Sequence, residues 1–308
     1  MASAHCHFSL GSALIKMRSW PAPAKLNLFL HLTGRRSDGY HELQTVFQLI
    51  DYGDELSFTP RKDPQINCTC LSLFNPITAA IIPDADNLAI KAARLLQAKL
   101  KNAPGVDILI KKRIPIGSGL GGGSSNAATT LLVLNHLWNI HLSLDELLSL
   151  GATLGADVPL FIKGETSWAE GIGEQLQTIR LTQKWFVLLI PPLSISTEKL
   201  FSHPRLTYNT AAIKIQTFLS GSLDTHNDFE NILRQDYPMM AEALDFLNHF
   251  APARLSGTGA CVFATLNSKA EAEALLEKIK APYRGFLSKG LTTSPLRQIM
   301  NNWGVAKW

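Results

Sequence analysis

Charge is scarce in this chain of 308 residues: Asp, Glu, Lys and Arg together make up 18%, and the formal net charge is only +4. There is no Lys/Arg-rich arm and no acidic run, so composition gives no argument for a nucleic-acid partner. Cysteine is scarcer still. The four residues Cys6, Cys68, Cys70 and Cys261 form no CxxC pair and no Cys/His cluster with zinc spacing. That excludes a disulfide framework and predicts reduced thiols in a cytoplasmic protein. No stretch stays apolar for the ~20 residues that a membrane helix requires. The opening "MASAHCHFSLGSALIKMRSW" lacks the positive start and long apolar stretch of a secretion signal. Met17 is a plausible translation start, and residues 1–18 are expected to be a disordered extension. Internal repeats and low-complexity tracts are lacking as well.

Hydrophobic residues, at 46%, are ample for a core. In "KLNLFLHLTG", Leu26, Leu28, Leu30 and Leu32 alternate with Lys25, Asn27, Phe29 and His31, which predicts a strand with one leucine face. "TVFQLIDYGDELSFTP" reads as two short strands around a turn at Tyr52–Asp54. Asp86 or Asn87 caps a helix through "LAIKAARLLQAKL", and "GVDILIKKRIPI" is a strand leading into a glycine-rich loop. A helix is expected from Asn126 to Trp138. Another starts at Ser143, where "SLDE" makes a capping box with Glu146, and ends near Gly155. "WFVLLIPPL" is a buried strand stopped by proline. A helix over Met239–Phe250, two strands around a glycine turn in "ARLSGTGACVFATL", and an amphipathic helix in "SKAEAEALLEKIKA" follow. Strands and helices mix without strict βαβα alternation, so the fold class is α+β rather than a doubly wound parallel sheet. A boundary is expected within residues 165–180, dividing the chain into 19–172 and 173–308.

Glycine is concentrated where it must do something. Five of the nine residues Pro115–Gly123 in "PIGSGLGGGSSNAATTLL" are glycine, each costly to order. A strand, a glycine turn and a helix N-terminus make an anion site, because unpaired N–H groups and the helix dipole point at one spot. Ser124 and Ser125 add hydroxyls or a metal ligand. Gly117, Gly119 and Gly122 formally fit GxGxxG, but no acidic residue closes a following strand. The lysine of a Walker A loop is missing, and so are the VAIK, HRD and DFG segments of protein kinases.

The loop resembles the PxxxGLGGGSS motif of the GHMP kinases, which phosphorylate small molecules. "PAPAKLNLFLHLTGRRSDGYHEL", "DYGD", the loop, "LGADVPLFIKG" and "LSGTGACVFA" stand in the order of one member of that family, and the resemblance covers about residues 19–290. It departs at Ser118, where all-glycine versions of the loop have glycine. The resemblance implies a two-lobed fold, with an N-terminal domain of the ribosomal-protein-S5-like type, a C-terminal ferredoxin-like domain and a cleft between them. It implies transfer of the γ-phosphoryl group of ATP to the 2-hydroxyl of a cytidine-diphosphate-linked sugar alcohol, methylerythritol, in the non-mevalonate isoprenoid pathway. The alternatives are another small-molecule kinase of the family or a non-catalytic nucleotide-binding protein on the same fold.

Residue by residue, the resemblance implies Asp157 as base and Lys25 as its cationic partner. Pro115, Gly117, Ser118, Gly119, Leu120, Gly121, Gly122, Gly123, Ser124 and Ser125 would hold ATP. Asn27, Tyr40, His41, Thr197, Phe201, Gly257 and Thr258 would hold the acceptor, with Tyr40 and Phe201 sandwiching cytosine and His41 bonding its edge. ATP implies Mg²⁺, for which no Asp/Glu pair forms an evident cage. The partner expected is the small-molecule substrate, with no nucleic acid and no membrane; the chain is expected to be a monomer or homodimer.

Overall fold

The computed structural model describes residues 18–72, 85–102 and 104–302; residues 1–17 of the expected extension, with Cys6, lie outside them. Two long strands, β1 (Trp20–Arg35) and β2 (His41–Arg61), open the fold as an antiparallel hairpin. At its turn Gly39 takes φ 91° and its N–H donates to Arg36 O at 3.0 Å. Then come β3 (Ile66–Ser72), α1 (Leu88–Gln97), β4 (Gly105–Lys112), α2 (Gly122–Leu137), α3 (Leu144–Leu154), α4 (Val158–Lys163), β5 (Ser167–Glu170) and β6 (Gln175–Thr178). The second half runs β7 (Trp185–Ile190), α5 (Thr197–Phe201), α6 (Ile215–Leu219), α7 (Glu230–Asp236), α8 (Pro238–Asn248), β8 (Ala253–Leu255), β9 (Val262–Leu266), α9 (Lys269–Leu276), β10 (Arg284–Leu291) and α10 (Pro295–Asn302).

One sheet joins both halves in the order β3-β4-β2-β10-β7-β9-β8, with β1 and β5 also on β2. Among the described strands only β3 and β4 pair in parallel, so the α+β expectation holds. The second half has the β-α-β-β-α-β plan of a ferredoxin-like domain: β10-β7-β9-β8 with α8 and α9 in the crossovers. Each half has its own core. Leu49, Leu56, Ile108 and Ile110 pack under Ala93, Leu131 and Leu160 in the first. Val187, Leu189 and Val262 pack under Met240, Leu244 and Leu275 in the second.

The structure corrects three expectations. Residues 41–61 form one strand, not two strands around a turn. Between Ile50 and Gly53 the register with β1 shifts, so Asp51 and Tyr52 form a bulge at the expected turn. A Cβ at Gly53 would lie 2.3 Å from Ala22 O, so the close approach of β1 requires glycine there. The Asp54 carboxylate turns inward and accepts from Arg113 N at 2.7 Å and Ile114 N at 2.8 Å. Second, β1 has no single leucine face. A register shift between Asn27 and Leu30 changes the phase of the alternation. Leu26 packs with Ile114 and Leu120, whereas Leu30 lines the same cleft as Lys25 and Asn27. Third, α2 begins at Gly122, four residues before the expected Asn126. Gly121 is its N-cap at φ 73°, and the last loop glycines are the first turn of the helix.

Candidate active site

β1 enters the cleft between the halves with Lys25 and Asn27 on one side, two residues apart. Both are buried. Asn27 is fixed from behind: its Nδ2 donates to Thr45 Oγ1 at 2.9 Å, and Thr45 Oγ1 donates to Phe29 O at 2.5 Å. Its Oδ1 is thereby turned to accept from Lys25 Nζ at 2.6 Å. The Lys25 ammonium also lies 3.4 Å from Asp157 Oδ2 and 5.4 Å from the centre of the Phe47 ring.

Asp157 stands at the N-cap of α4, where a carboxylate ordinarily bonds the first-turn N–H groups. Here it makes no such bond. Pro159 in the first turn removes one of those donors. The carboxylate points instead to Lys25 and remains 30% exposed to the cleft. It is a charged acceptor held by one cation and open to a ligand. The cleft, about 300 Å³, is also walled by Gly121, Ser124, Thr197, Phe201, Gly257 and Thr258. Thr197 and Phe201 lie four apart on α5 and so share a face, and the Thr197 and Thr258 hydroxyls meet at 2.9 Å.

The glycine loop separates this cleft from a second cavity of about 340 Å³, lined by residues 115–124, Asn126, the start of α1, Ile110 and Lys112. Ser124 borders both. The loop carbonyls are already used. Leu120 O accepts from Lys25 N at 3.1 Å, Ser118 O from Cys261 N at 3.1 Å, and Gly119 O from Ser256 Oγ at 3.2 Å. The N–H groups of Gly122, Gly123 and Ser124, in the first turn of α2, have no acceptor within the helix. A Cβ at Gly119 would stand 2.3 Å from Ser256 O, and one at Gly122 would stand 2.9 Å from Ile114 Cγ2. Ser125 Oγ and Asn126 Oδ1 are buried without a partner among the described residues. Free N–H groups, small residues and the unpartnered Ser125 hydroxyl suit a phosphate; the Asn126 oxygen, which can only accept, suits a donor or a cation instead.

The expected site residues divide accordingly. Lys25, Asn27, Asp157, Thr197, Phe201, Gly257 and Thr258 meet in one cleft, with Gly119, Gly121 and Ser124 at its edge. Pro115, Gly117, Gly122 and Gly123 face the second cavity. Ser118 and Leu120 border that cavity too but also hold the loop: the Ser118 hydroxyl closes it onto Pro115 O at 2.7 Å, and the Leu120 side chain is in the core. His41 is buried, its ring 5.5 Å from Phe201 and 5.4 Å from Tyr208. Burial and then the nearby Arg35 lower its pKa, so the imidazole is neutral at pH 7 and can both donate and accept. Tyr40 is 62% exposed at the hairpin end and does not line the cleft.

Sequence reading missed the ion pair behind the loop. Lys112 Nζ bonds Asp54 Oδ2 at 2.5 Å, both residues are buried, and Lys112 borders the second cavity. Lys112 alternates in phase with the buried Val106, Ile108 and Ile110 of β4, a signal that it faces inward, but its partner is on another strand 58 residues away. Among the described residues no group of three or more His, Cys, Asp or Glu could hold a metal. Of the oxygens near the loop, the Ser124 hydroxyl borders both cavities and the Asp157 carboxylate the cleft, whereas Ser125 is fully buried and lines neither.

Known proteins give the same picture. The chain matches the GHMP kinases N terminal domain over residues 87–165 and the GHMP kinases C terminal domain over residues 212–285. It is 48% identical over 291 residues to a 4-diphosphocytidyl-2-C-methyl-D-erythritol kinase of Hahella chejuensis, covering 92% of this chain and 96% of that protein. A crystal structure of 4-(cytidine 5'-diphospho)-2C-methyl-D-erythritol kinase superposes with a TM-score of 0.74 at 30% identity, covering 89% of this chain and 99% of that one. A homoserine kinase from Cytophaga hutchinsonii shares the fold, with a TM-score of 0.66 at 14% identity over 95% of this chain and 99% of its own. Matched in both halves, in the order of its own sequence, and nearly half identical to a named relative over most of its length, the chain belongs to the GHMP kinases.

Proposed function

We propose that this kinase transfers the γ-phosphoryl group of ATP to the 2-hydroxyl of 4-diphosphocytidyl-2-C-methyl-D-erythritol. The observation that carries the reading is the Lys25–Asp157 pair, 3.4 Å apart beside the glycine loop, with a carboxylate that caps nothing. In the Michaelis complex the acceptor hydroxyl lies between these two side chains. Asp157 takes the hydroxyl proton as the oxygen attacks, and the Lys25 ammonium holds that oxygen and balances its developing charge. The N–H groups of Gly122, Gly123 and Ser124, with Lys112 behind them, bind the phosphates of ATP in the 340 Å³ cavity. Ser124, on the border of both cavities, would supply an oxygen ligand to Mg²⁺, which would neutralise phosphate charge.

The relatives' names support the cytidyl acceptor, and the rings gathered around Phe201, which lines the cleft, suit a base. A neutral His41 offers both a donor and an acceptor to a cytosine edge, Phe201 gives a wall, and Tyr40 supplies an exposed ring on the hairpin above. Homoserine and mevalonate have no use for such a group, and a purely regulatory nucleotide binder has no use for the Lys25–Asp157 pair. Phosphorus NMR of the protein with ATP, Mg²⁺ and a panel of alcohols tests the reading. The expected product is a new phosphomonoester on the cytidyl substrate. Phosphorylation of methylerythritol phosphate, homoserine or mevalonate at an equal or greater rate overturns it.

A further inference from the structure

Two cysteines on β3, Cys68 and Cys70, occupy alternate positions and so face the same side of the strand. Both pack half-buried against the N-terminal core. One amide joins them: Asn87 Nδ2 donates to Cys68 Sγ at 3.3 Å and to Cys70 Sγ at 3.9 Å, while Asn87 Oδ1 caps α1 by accepting from Ala89 N at 3.0 Å. Asn87 lines the 340 Å³ cavity together with Ile110 and Lys112, and Cys70 pairs with Ile110 across β3 and β4. The wall of the ATP cavity is therefore backed by a dithiol that the phosphoryl-transfer chemistry does not use.

The surroundings favour the thiolate of Cys70. The hydrogen bond from Cys68, the Lys112 ammonium and the Asn87 amide outweigh burial and Asp54, and pull the thiol down to about 7. The thiolate is the reactive form of cysteine. Cys261 is the contrast: fully buried, its thiol is pushed far up and is inert.

We propose that Cys68 and Cys70 form an oxidisable dithiol behind the ATP cavity, and that a peroxide converts it to a disulfide that weakens nucleotide binding through Asn87. The proposal rests on the assignment of that cavity to ATP. With hydrogen peroxide, the Cys70 thiolate attacks one oxygen; the S–O bond forms, the O–O bond breaks, and the departing oxygen takes up a proton and leaves as water. The Cys68 sulfur then attacks the Cys70 sulfenic sulfur; the S–S bond forms, the S–O bond breaks, and a second water leaves with the Cys68 proton. Two thiols lose two electrons and two protons, and one peroxide becomes two waters. Residues two apart on a strand have Cα atoms about 6.6 Å apart, near the upper limit of ~6.8 Å for a disulfide. Closing the bridge therefore draws β3 in and moves the sulfurs that hold Asn87, and with Asn87 the cap of α1 and one wall of the cavity.

Full-length protein is treated with hydrogen peroxide, peptide-mapped by mass spectrometry, and titrated with ATP before oxidation, after it, and again after reduction. The expected result is a Cys68–Cys70 bridge and an ATP Kd raised by about fivefold or more, the range of ordinary site coupling, with recovery on reduction. Excess ATP should slow bridging. Cys70→Ser and Cys68→Ser, which keep an acceptor for the Asn87 amide, should show no change of ATP affinity on peroxide treatment. Unchanged affinity in fully bridged protein, or the same loss in Cys70→Ser, overturns the proposal. Gly122→Val reads the cavity separately: if it leaves ATP affinity intact, the cavity assignment fails. If it abolishes binding while bridged protein binds ATP with unchanged affinity, only the dithiol inference fails.

Discussion

Asp157 occupies a capping position and does not cap. Its residue type and place were readable only through the resemblance, because an Asp after Gly-Ala at a helix start is ordinarily a cap. Asp157→Asn should fold and lose ~10²–10⁴ in kcat, the usual worth of a general base; steady-state kinetics on protein of unchanged circular dichroism checks it. Near-normal turnover would remove Asp157 from the mechanism. A second prediction concerns His31, whose Nδ1 is buried without a partner among the described residues, its ring 4.6 Å from that of His226. Burial and then His226 lower its pKa from 6.5, against a smaller opposite effect of Asp228. The unfolded chain therefore binds a proton in a window where the native one does not. Stability should be full above pH 6.5, fall as pH drops from there to the lowered native pKa, and level off below it. Denaturant titrations at a series of pH values, on wild type and on His31→Asn, measure this. An equally steep decline in the variant would assign the acid sensitivity to other groups. Sequence could not foresee either histidine's burden, since His31 and His226 come from distant segments.

The glycine loop and α2 form a single device, and here the sequence was read well in kind and poorly in boundary. Glycines ordinarily speak against a helix, yet Gly122 and Gly123 are in its first turn, because a larger residue at Gly122 would strike Ile114. The glycines are not equivalent. Gly119 sits at φ 74° with Ser256 O where a Cβ would go, whereas a Cβ at Gly123 would meet only Leu88 Cδ1 at an ordinary 3.6 Å. Gly119→Ala should cost at least ~1–2 kcal/mol from backbone conformation alone, whereas Gly123→Ala should be neutral or gain up to ~1 kcal/mol. Thermal melts of the two variants decide, and equal losses would mean that the loop has been misread. Helix starts with explicit side-chain caps were easier: the Ser143–Glu146 box read from sequence is present. Elements without local signatures were not read. β10 and α7 are examples, as their form depends on partners far along the chain rather than on their own periodicity.

The two lobes are not strung in succession. After the second lobe the chain returns: β10 pairs with β7 on one side and, through Gly290 and Leu291, with β2 on the other. α10 then places Leu296 and Met300 in the core of the first lobe. We propose that the division near residues 165–180 marks a change of lobe rather than the end of the first one. Leu296→Ala should cost ~2–5 kcal/mol, as for a large-to-small change in a core. The loss should show in hydrogen exchange of α2 and β4, which precede it by more than half the chain; exchange altered only near residue 296 would refute this. The returning segment also imposes an order in time. As the polypeptide leaves the ribosome, the first lobe emerges long before the helix that completes its core. It must wait, partly open, for the whole ferredoxin-like half to be made. The first lobe's core is thus finished only when α10 docks, so a nascent chain halted before β10 should hold its glycine loop loosely and bind ATP more weakly than the full chain.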